Sequence, residues 1–375
     1  MLDLDFSPEQ QLLASTARDV LARHCPMSVV REMEDDPFGY PAGLWRQLGE
    51  LDLVGLLLPE EWGGSSMTLV EGVALYTELG RALAPTPHFV SAVMSGGVLA
   101  RAGSDEQKER WLAPVASGEA VLTPAWLEPD GAFSPLGVQV RATPAAGGFT
   151  IRGTKRHVAF AKAADRLVVL ARTGDGPEDV DLFLVDPTAD EVTLTQKFSI
   201  ASDTQYDVTF EDVAVTAADR IGAASTGWQT WSEVLQPGLV LLAAQAVGGA
   251  RQALDITVQY AKDRKQFDKP LGAFQAIAHY LADAVTAVDG GEQLVHEAAW
   301  AGAEGRPLDK LAPMAKLFAC KTFRDVTAMA QQVFGGIGFT LDFDIQLYFR
   351  RAKQLQLSWS DTAALEEAVA AAVLD

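Results

Sequence analysis

The chain has 375 residues, 48% of them hydrophobic, and this length predicts about two or three domains with their own cores. Its 30 basic and 50 acidic residues leave a net charge of −20. That charge argues against sequence-independent nucleic-acid binding, which depends on phosphate neutralisation by lysine and arginine. A phosphate-bearing ligand would need a local basic patch.

The hydrophobic period changes twice along the chain. From Ser7 to about Gly118 apolar residues recur at helical spacing, and Ser7 followed by Pro8 is typical of a helix start, so this part is predicted to be all-helical. From about residue 121 to residue 222 the pattern shortens, which predicts a small sheet or barrel. The predicted strands cover residues 138–141, 149–152, 167–170, 180–185, 192–194 and 206–210.

After Gly227 long helical patterns return and continue to Leu374. The predicted interruptions are Gly290-Gly291, Gly305-Arg306-Pro307 and Gly335-Gly336. The sequence therefore predicts an α+β protein with an N-terminal all-α domain at 1–120, a middle β domain at 121–225 and a C-terminal all-α domain at 226–375.

Two further features concern the compartment. Cys25 and Cys320 are the only cysteines, and they are interpreted as small apolar residues in a reducing compartment rather than a disulfide or a metal site. No continuous apolar run reaches the roughly 20 residues that cross a bilayer, and the first five residues lack a basic segment. We expect a cytoplasmic protein without membrane insertion.

Two distant stretches look like halves of one site for a phosphate-bearing cofactor. The first contains Arg264, Gln266, Phe267, Phe274 and Gln275, and the second contains Gln332, Gly335, Gly336 and Gly338. An arginine fork matches a pyrophosphate, a phenylalanine offers adenine a stacking surface, and glycines let backbone N–H groups approach phosphate oxygens. Alone, Arg264 could be a solvated helix charge and the glycines a plain turn. No Gly-x-Gly-x-x-Gly pattern joins a strand to a helix, which argues against a Rossmann domain.

The first stretch, from Tyr260 to Ile277, resembles the acyl-CoA dehydrogenase signature Y-x-x-x-R-x-Q-F-G-x-P-L…F-Q, with Asp268 where glycine is usual. The second, residues 332–340 closing with 350–353, resembles that family's second signature. Weaker similarities lie at residues 59–64, at Glu128-Pro129 and at residues 153–155. The resemblance covers nearly the whole chain and is strongest in the last 120 or so residues.

This resemblance implies FAD as cofactor, an acyl-CoA substrate, a dimer of dimers and an electron-transfer flavoprotein as redox partner. It also implies an N-terminal helical domain, a central β-sheet or barrel domain and a C-terminal four-helix bundle. In the family these signatures reach a cofactor held mainly by a neighbouring subunit. The implied cofactor-binding residues are Arg264, Gln266, Phe267, Leu271, Phe274, Gln275, Gln332, Gly335, Gly336, Thr362 and His157.

The part that would face the flavin ring departs from the family pattern. Leu127 stands where a small hydroxyl residue usually precedes the Glu-Pro pair, and His157-Val158-Ala159 replaces the W-I-T triplet. Two hydroxyl groups that tune the flavin are therefore missing, although backbone N–H groups could serve. For His157 two interpretations stay open: it replaces the indole against the ring, or it is a core histidine bonded to a carbonyl.

The catalytic base is also missing from its usual places. Desaturation needs a carboxylate near the α carbon, and the family supplies a glutamate from one of two positions. Here Ser360 and Gly238 occupy them. Asp361 is one residue away, which is about 100° around a helix. Glu233 and Glu366 are interpreted as solvent-facing helix charges, so the catalytic residue is unknown.

Three hypotheses follow. The chain is an acyl-CoA dehydrogenase with an unrecognised base, or it is a FAD-binding, non-catalytic partner of a related chain that brings the glutamate. Heteromeric relatives of the second kind occur in the family, notably for sterol side chains. The third hypothesis keeps the fold and the flavin but changes the chemistry. The sequence does not define the acyl chain, the choice between homo- and hetero-oligomer, or the electron acceptor.

Overall fold

The computed structural model describes residues 4–129 and 131–374. Its α-helices are α1 Pro8–His24, α2 Met27–Glu32, α3 Ala42–Glu50, α4 Leu69–Arg81, α5 Gly96–Ala102, α6 Asp105–Ser117, α7 Gly227–Asp263, α8 Gln275–Ala303, α9 Leu311–Phe334, α10 Ile345–Leu357 and α11 Thr362–Leu374. Its strands are β1 Leu122–Ala125, β2 Arg141–Ala145, β3 Gly148–Ala159, β4 Arg166–Arg172, β5 Val180–Val185, β6 Val192–Lys197, β7 Gln205–Thr216, β8 Arg220–Ile221, β9 Lys265–Gln266 and β10 Lys269–Pro270. A π-helix, Phe89–Ser95, runs directly into α5.

Helices, then strands, then helices follow one another along the chain, so the predicted order is confirmed. The chain forms two compact units that do not follow the predicted domains. One contains residues 1–30, 68–84 and 239–375, and the other contains residues 31–67 and 85–238. The predicted N-terminal segment contributes to both units. The domain boundaries near residues 120 and 225 therefore stay a prediction.

We call the unit of residues 1–30, 68–84 and 239–375 the helical unit. Close contacts between α4 and α7 hold it together. A Cβ atom at Gly248 would lie 1.9 Å from the Thr77 carbonyl oxygen, and one at Gly80 would lie 2.0 Å from the Gln245 carbonyl oxygen. Only glycine permits such an approach of two backbones. At the start of α1 the predicted cap is confirmed, because Ser7 accepts from the backbone N–H of Gln10 and Pro8 occupies the first helical position.

The second unit contains an eight-stranded sheet. Its strands follow the order β6-β7-β3-β2-β4-β5-β8, and β1 pairs in parallel with β4. The apolar side chains of these strands form one buried cluster that includes Ile151, Phe183 and Phe210. Strand β3 pairs with β7 over most of its length, with register shifts between Ile151 and Gly153 and between Lys155 and Val158.

Most of the predicted strands are present, but the first was placed wrongly. Residues 138–140 form no ladder, and β2 begins only at Arg141. The physical reason is a side chain, since the Glu128 carboxylate accepts the backbone N–H groups of Gln139 and Val140. Strands β1 and β8 were not predicted.

The C-terminal helices also differ from the expectation in two places. Gly290-Gly291 lies inside α8 and does not interrupt it. Gly291 is buried, and a Cβ atom there would lie 3.2 Å from Val247, so this glycine serves close packing and not a turn. The real break between α7 and α8 is a short β-hairpin at residues 265–270.

Within the described residues one helix, Gly227–Asp263, is long and apolar enough to cross a membrane by length and composition. In this structure 72% of its most apolar window is buried inside the protein. Core helices of soluble proteins pass the same test.

Candidate functional site

The first predicted cofactor segment forms a tight hairpin after α7. Strands β9 and β10 pair through Lys265 opposite Pro270 and Gln266 opposite Lys269. The two turn residues, Phe267 and Asp268, have φ values of 52° and 62°, as a type I′ turn requires. The Leu271 N–H donates to the Arg264 carbonyl oxygen and closes the hairpin. The turn therefore holds the backbone around Arg264 in one shape.

Most of the side chains of this segment face outward. The exposed ones are Arg264, Gln266, Phe267 and Gln275, and the half-buried ones are Leu271 and Phe274. Phe267 is 86% exposed and meets the ring of Phe274 edge-on at 6.1 Å. The Lys269 ammonium lies 4.2 Å from the Phe274 ring centre. Within the described chain, the Arg264 guanidinium has no ion-pair or hydrogen-bond partner.

The second segment lies at the end of α9, next to the first. The ring of Phe334 stacks on Tyr260 with centroids 4.1 Å apart and planes 15° apart. Tyr260 precedes Arg264 by one helical turn, and its carbonyl oxygen accepts the Arg264 N–H. This stack joins the two segments that the sequence separates by about 70 residues.

Glycines shape the bend that follows α9. Gly335 has a φ of 66°, and a Cβ atom at Gly335 or Gly336 would meet no other atom within 4 Å. Gln332, in the last turn of α9, is exposed. We call the 3-10 segment Gly335–Phe339 the glycine bend. Its open backbone beside a cationic hairpin has the character of a phosphate site.

One buried residue beside the glycine bend was not predicted. Gln331 is 4% exposed, and its side-chain nitrogen and oxygen both lack a hydrogen-bond partner in the described part of the chain. Its amide oxygen would lie 2.5 Å from a Cβ atom on Gly338. The helical period could have found it, since Gln331 falls on the buried stripe of α9 that includes Phe323 and Thr327.

The segment that usually carries the catalytic glutamate is held by another buried residue, Lys316. Its ammonium donates to the Ser360 carbonyl oxygen at 2.8 Å and to the Leu355 carbonyl oxygen at 3.2 Å. Burial lowers the pKa of Lys316, while the nearby Cys320 and Asp361 act in the opposite direction. A cation at the end of α10 also complements the helix dipole. Lys316 thus fixes the backbone of residue 360.

Asp361 and Thr362 are engaged within the chain. The Asp361 carboxylate accepts the Ala364 N–H at 2.9 Å and caps α11. The Thr362 hydroxyl accepts from the Gln356 amide at 3.1 Å. Thr362 and Gln356 also line a cavity of about 410 Å³ together with Arg324.

The other usual base position lies in the sheet-containing unit. A Cβ atom at Gly238 would lie 3.2 Å from the Met94 sulfur and 3.3 Å from the Phe89 ring, both on the π-helix. Pro237 directly precedes it inside α7 and removes one backbone hydrogen bond. Glu233 forms an ion pair with Arg101 and accepts from Gln229. No carboxylate reaches position 238 from this helix.

A buried ion pair organises the loop that would face the flavin ring. The Lys155 ammonium donates to the Glu128 carboxylate at 2.7 Å and to the Trp126 carbonyl oxygen at 3.1 Å. Burial lowers the pKa of Lys155 to about 8, although Glu128 raises it. The Arg156 N–H donates to the Leu127 carbonyl oxygen at 2.8 Å. Two of the three weak sequence similarities, Glu128-Pro129 and residues 153–155, are thereby tied together in space.

His157 sits in the irregular part of β3 and is exposed. Its φ is 53°, and its Nδ1 atom hydrogen bonds with the side-chain oxygen of Gln205. His157 is therefore not a core histidine, although its partner is a carbonyl, that of the Gln205 side-chain amide. Its place against the flavin ring stays a prediction. Across residues 4–129 and 131–374, no cluster of three or more His, Cys, Asp or Glu side chains could hold a metal ion.

Three domain families match the chain in order. They are the acyl-CoA dehydrogenase N-terminal domain over residues 7–119, the middle domain over 124–213 and the C-terminal domain over 225–359. The chain belongs to the acyl-CoA dehydrogenase family. This family consists of flavoprotein oxidoreductases that use FAD.

Relatives of known sequence or structure span the same length. A probable acyl-CoA dehydrogenase, YngJ of Bacillus subtilis, is 31% identical over 95% of both chains. The CarC subunit of the caffeyl-CoA reductase–Etf complex of Acetobacterium woodii is 26% identical, covering 98% of this chain and 99% of that one. A chain in the ChsE4-ChsE5 complex of Mycobacterium tuberculosis is 27% identical with a TM-score of 0.90, covering 100% of this chain and 99% of that one.

Proposed function

We propose that this chain is a FAD-binding subunit of an acyl-CoA dehydrogenase that desaturates an acyl-CoA thioester between its α and β carbons. In this proposal the catalytic carboxylate comes from a related second chain. A chain that performs the same desaturation alone is the second candidate. Both rest on the family membership and differ in where the base resides.

One observation carries the choice between them: both base positions lack a carboxylate, while Asp361 caps α11, Glu233 pairs with Arg101 and Glu366 is exposed. Ser360 and Gly238 stand at those positions, and Phe89 and Met94 pack against Gly238. An α proton cannot be removed without a base within hydrogen-bonding reach. The missing carboxylate therefore favours a partner that supplies it.

The second candidate requires a base within this chain, and Asp361 is the residue that could supply it. It adjoins Ser360 and acts electrostatically on Lys316. Its carboxylate already caps α11 through the Ala364 N–H, however, and a cap residue contributes about 1 kcal/mol of helix stability. To act as a base, Asp361 would have to break this hydrogen bond and lose the helix stability it contributes. This cost argues against a catalytic role for Asp361.

The residues that would bind FAD are those of the hairpin and the glycine bend. The Arg264 guanidinium offers two parallel N–H groups to the diphosphate, and the hairpin fixes its backbone. Gly335 and Gly336 leave room for phosphate oxygens against the backbone, and Phe267 and Phe274 offer ring surface to adenine. Bound FAD would supply the acceptor for the hydride that leaves the β carbon.

Assembly and compartment remain part of this proposal. The exposure of the hairpin suits a segment that reaches into a neighbouring subunit, in a dimer of dimers. The names of the ChsE4-ChsE5 complex and of the CarC–Etf complex support a heteromeric assembly and an electron-transfer flavoprotein as acceptor. We propose a cytoplasmic location, which is supported by the two free, buried cysteines, Cys25 and Cys320.

Purification followed by an anaerobic assay separates the two candidates. The chain is purified alone, its flavin absorbance is recorded, and it is mixed with straight-chain, branched and sterol-derived acyl-CoA thioesters. The proposal expects the flavin to stay oxidised, and expects bleaching only after co-expression with a family member that carries the glutamate. Bleaching by the chain alone would instead establish the second candidate.

A further inference from the structure

Gln331 is a buried amide without a partner, directly beside the glycine bend. Both polar atoms of its side chain are inaccessible to solvent, and neither is hydrogen bonded within the described residues. Buried amides in folded proteins are nearly always paired, so an unpaired donor and acceptor together call for an explanation. The amide oxygen lies against Gly338, inside the bend.

The glycine bend has the freedom to provide that partner. Three of its five residues are glycines, and Gly335 already adopts a left-handed φ. At Gly335 and Gly336 nothing packs against the outer side of the backbone. Its first N–H, that of Gly335, donates to the backbone carbonyl oxygen of Gln331. A small reorientation of the peptide groups would turn a carbonyl and an N–H toward the Gln331 amide.

We propose that Gln331 is a positioning residue of the cofactor site, whose amide hydrogen bonds to the glycine bend when the bend receives a phosphate group of FAD. This inference rests on the proposed function, because it takes the bend as part of the FAD site. The amide is too buried to touch the ligand, so it acts through the backbone of residues 335–338. A bond made only in the bound state strengthens binding and leaves the ligand-free state with an unpaired amide.

This arrangement gives two effects of opposite sign for one substitution. Gln331→Met keeps the length of the side chain and removes both polar atoms. Without FAD the variant should melt about 2 °C or more above the parent, because a buried unpaired amide is gone. Its dissociation constant for FAD should rise about tenfold, because the bond that accompanies binding is lost.

The chain provides a matched control in Gln346. This residue is 7% exposed, and its side-chain oxygen accepts from the Arg350 Nε atom at 2.7 Å. Gln346→Met therefore removes a satisfied amide of similar burial on the neighbouring helix α10. We expect it to lower the melting temperature and to leave the dissociation constant for FAD unchanged.

The experiment measures flavin content of the purified protein, then melting temperature and FAD titration after flavin removal, for the parent and both variants. A higher melting temperature with weaker FAD binding supports the role of Gln331. Unchanged FAD binding, as expected if an internal water satisfies the amide, overturns it. A parallel loss of melting temperature and affinity also overturns it, since that result indicates ordinary packing. A parent that binds no FAD, alone or co-expressed, would refute the proposed function itself.

Discussion

At position 360 the backbone is fixed while the side chain lacks a carboxylate. Lys316 holds the Ser360 carbonyl oxygen from inside the protein, and Asp361 starts the next helix. Both anchors act on backbone groups, so they do not depend on the side chain at residue 360. A carboxylate introduced there would lie near a buried ammonium, which favours its ionised form.

Ser360→Glu should therefore give the chain its own base. We expect flavin reduction by a suitable acyl-CoA to become about 10²–10⁴-fold faster than in the parent, the range typical of a positioned base. Stopped-flow absorbance under anaerobic conditions measures this rate. Ser360→Gln is the control for size, and Asp361→Asn keeps a capping side chain while removing the charge. A Ser360→Glu protein that binds FAD and acyl-CoA yet shows no reduction would contradict the assignment of this position.

Arg264 is expected to contribute to FAD binding and not to folding. Its guanidinium has no partner among the described residues, so its removal should cost binding and not folding. Charge-assisted hydrogen bonds contribute about 1.5–3 kcal/mol, so Arg264→Ala should weaken FAD binding about 10–100-fold. The FAD affinity of Arg264→Lys should lie between those of the parent and Arg264→Ala, because lysine keeps the charge but cannot form the bidentate contact. Flavin content at equal melting temperature is the measurement, and full occupancy in the alanine variant would remove Arg264 from the site.

Among the elements, the hairpin between α7 and α8 depends on two non-glycine residues in the left-handed region. Phe267 and Asp268 adopt positive φ although type I′ turns favour Asn-Gly or Asp-Gly. Asp268 stands where the family signature has glycine, so this chain keeps the turn at some cost in backbone energy. The sequence predicted the cofactor role of this segment but not its shape, because no turn dipeptide marks it.

Asp268→Gly should stabilise this hairpin by roughly 0.5–1 kcal/mol, since glycine adopts a φ of 62° without steric cost. Hydrogen exchange of the Leu271 N–H, which closes the hairpin on Arg264, reports the effect locally. Asp268→Ala is the matched variant and should speed that exchange. Slower exchange in the alanine variant than in the glycine variant would contradict the idea that left-handed backbone strain limits the stability of the turn.

The elements also show why sequence reasoning succeeded in some places and failed in others. Apolar periodicity reports which face of a segment is buried, so it located the long helices and the central strands. It could not show that Glu128 holds the N–H groups of Gln139 and Val140 out of the sheet. Likewise Gln331 and Lys316 are polar residues on a buried stripe, and their roles depend on groups that only the fold brings near.

For the whole molecule, a buried histidine sets part of the pH dependence. His88 is 2% exposed, and its Nε2 atom lies 3.0 Å from the Leu53 carbonyl oxygen. Burial lowers the pKa of His88 from 6.5 to about 4, although the bond to Leu53 raises it. Between these values the unfolded chain binds a proton that the folded chain does not. The contribution of neutral His88 to the unfolding free energy is therefore fully present above pH 6.5 and is lost as the pH falls toward 4.

His88→Gln should remove that part of the pH dependence while keeping a donor for the Leu53 carbonyl. The lowering of the pKa of His88 from 6.5 to about 4 corresponds to roughly 3 kcal/mol of unfolding free energy across that pH range. Urea unfolding at pH 7, 5.5 and 4.5 measures the slope for both proteins. Burial also lowers the pKa of His296, which leaves the variant a smaller slope of the same sign. Identical slopes in parent and variant would mean that the pKa of His88 is the same in the folded and unfolded states, which contradicts the prediction.

The helical unit is assembled from three separate pieces of chain, residues 1–30, 68–84 and 239–375. During synthesis α1 and α4 leave the ribosome long before α7 to α11 exist. Their apolar faces therefore stay exposed to solvent for most of the translation time. The intervening unit, residues 31–67 and 85–238, can close first. Contacts of such long sequence separation fold slowly and expose aggregation-prone surface. We therefore expect folding of this chain to depend on chaperones, and a chain that ends before α7 is complete to be insoluble.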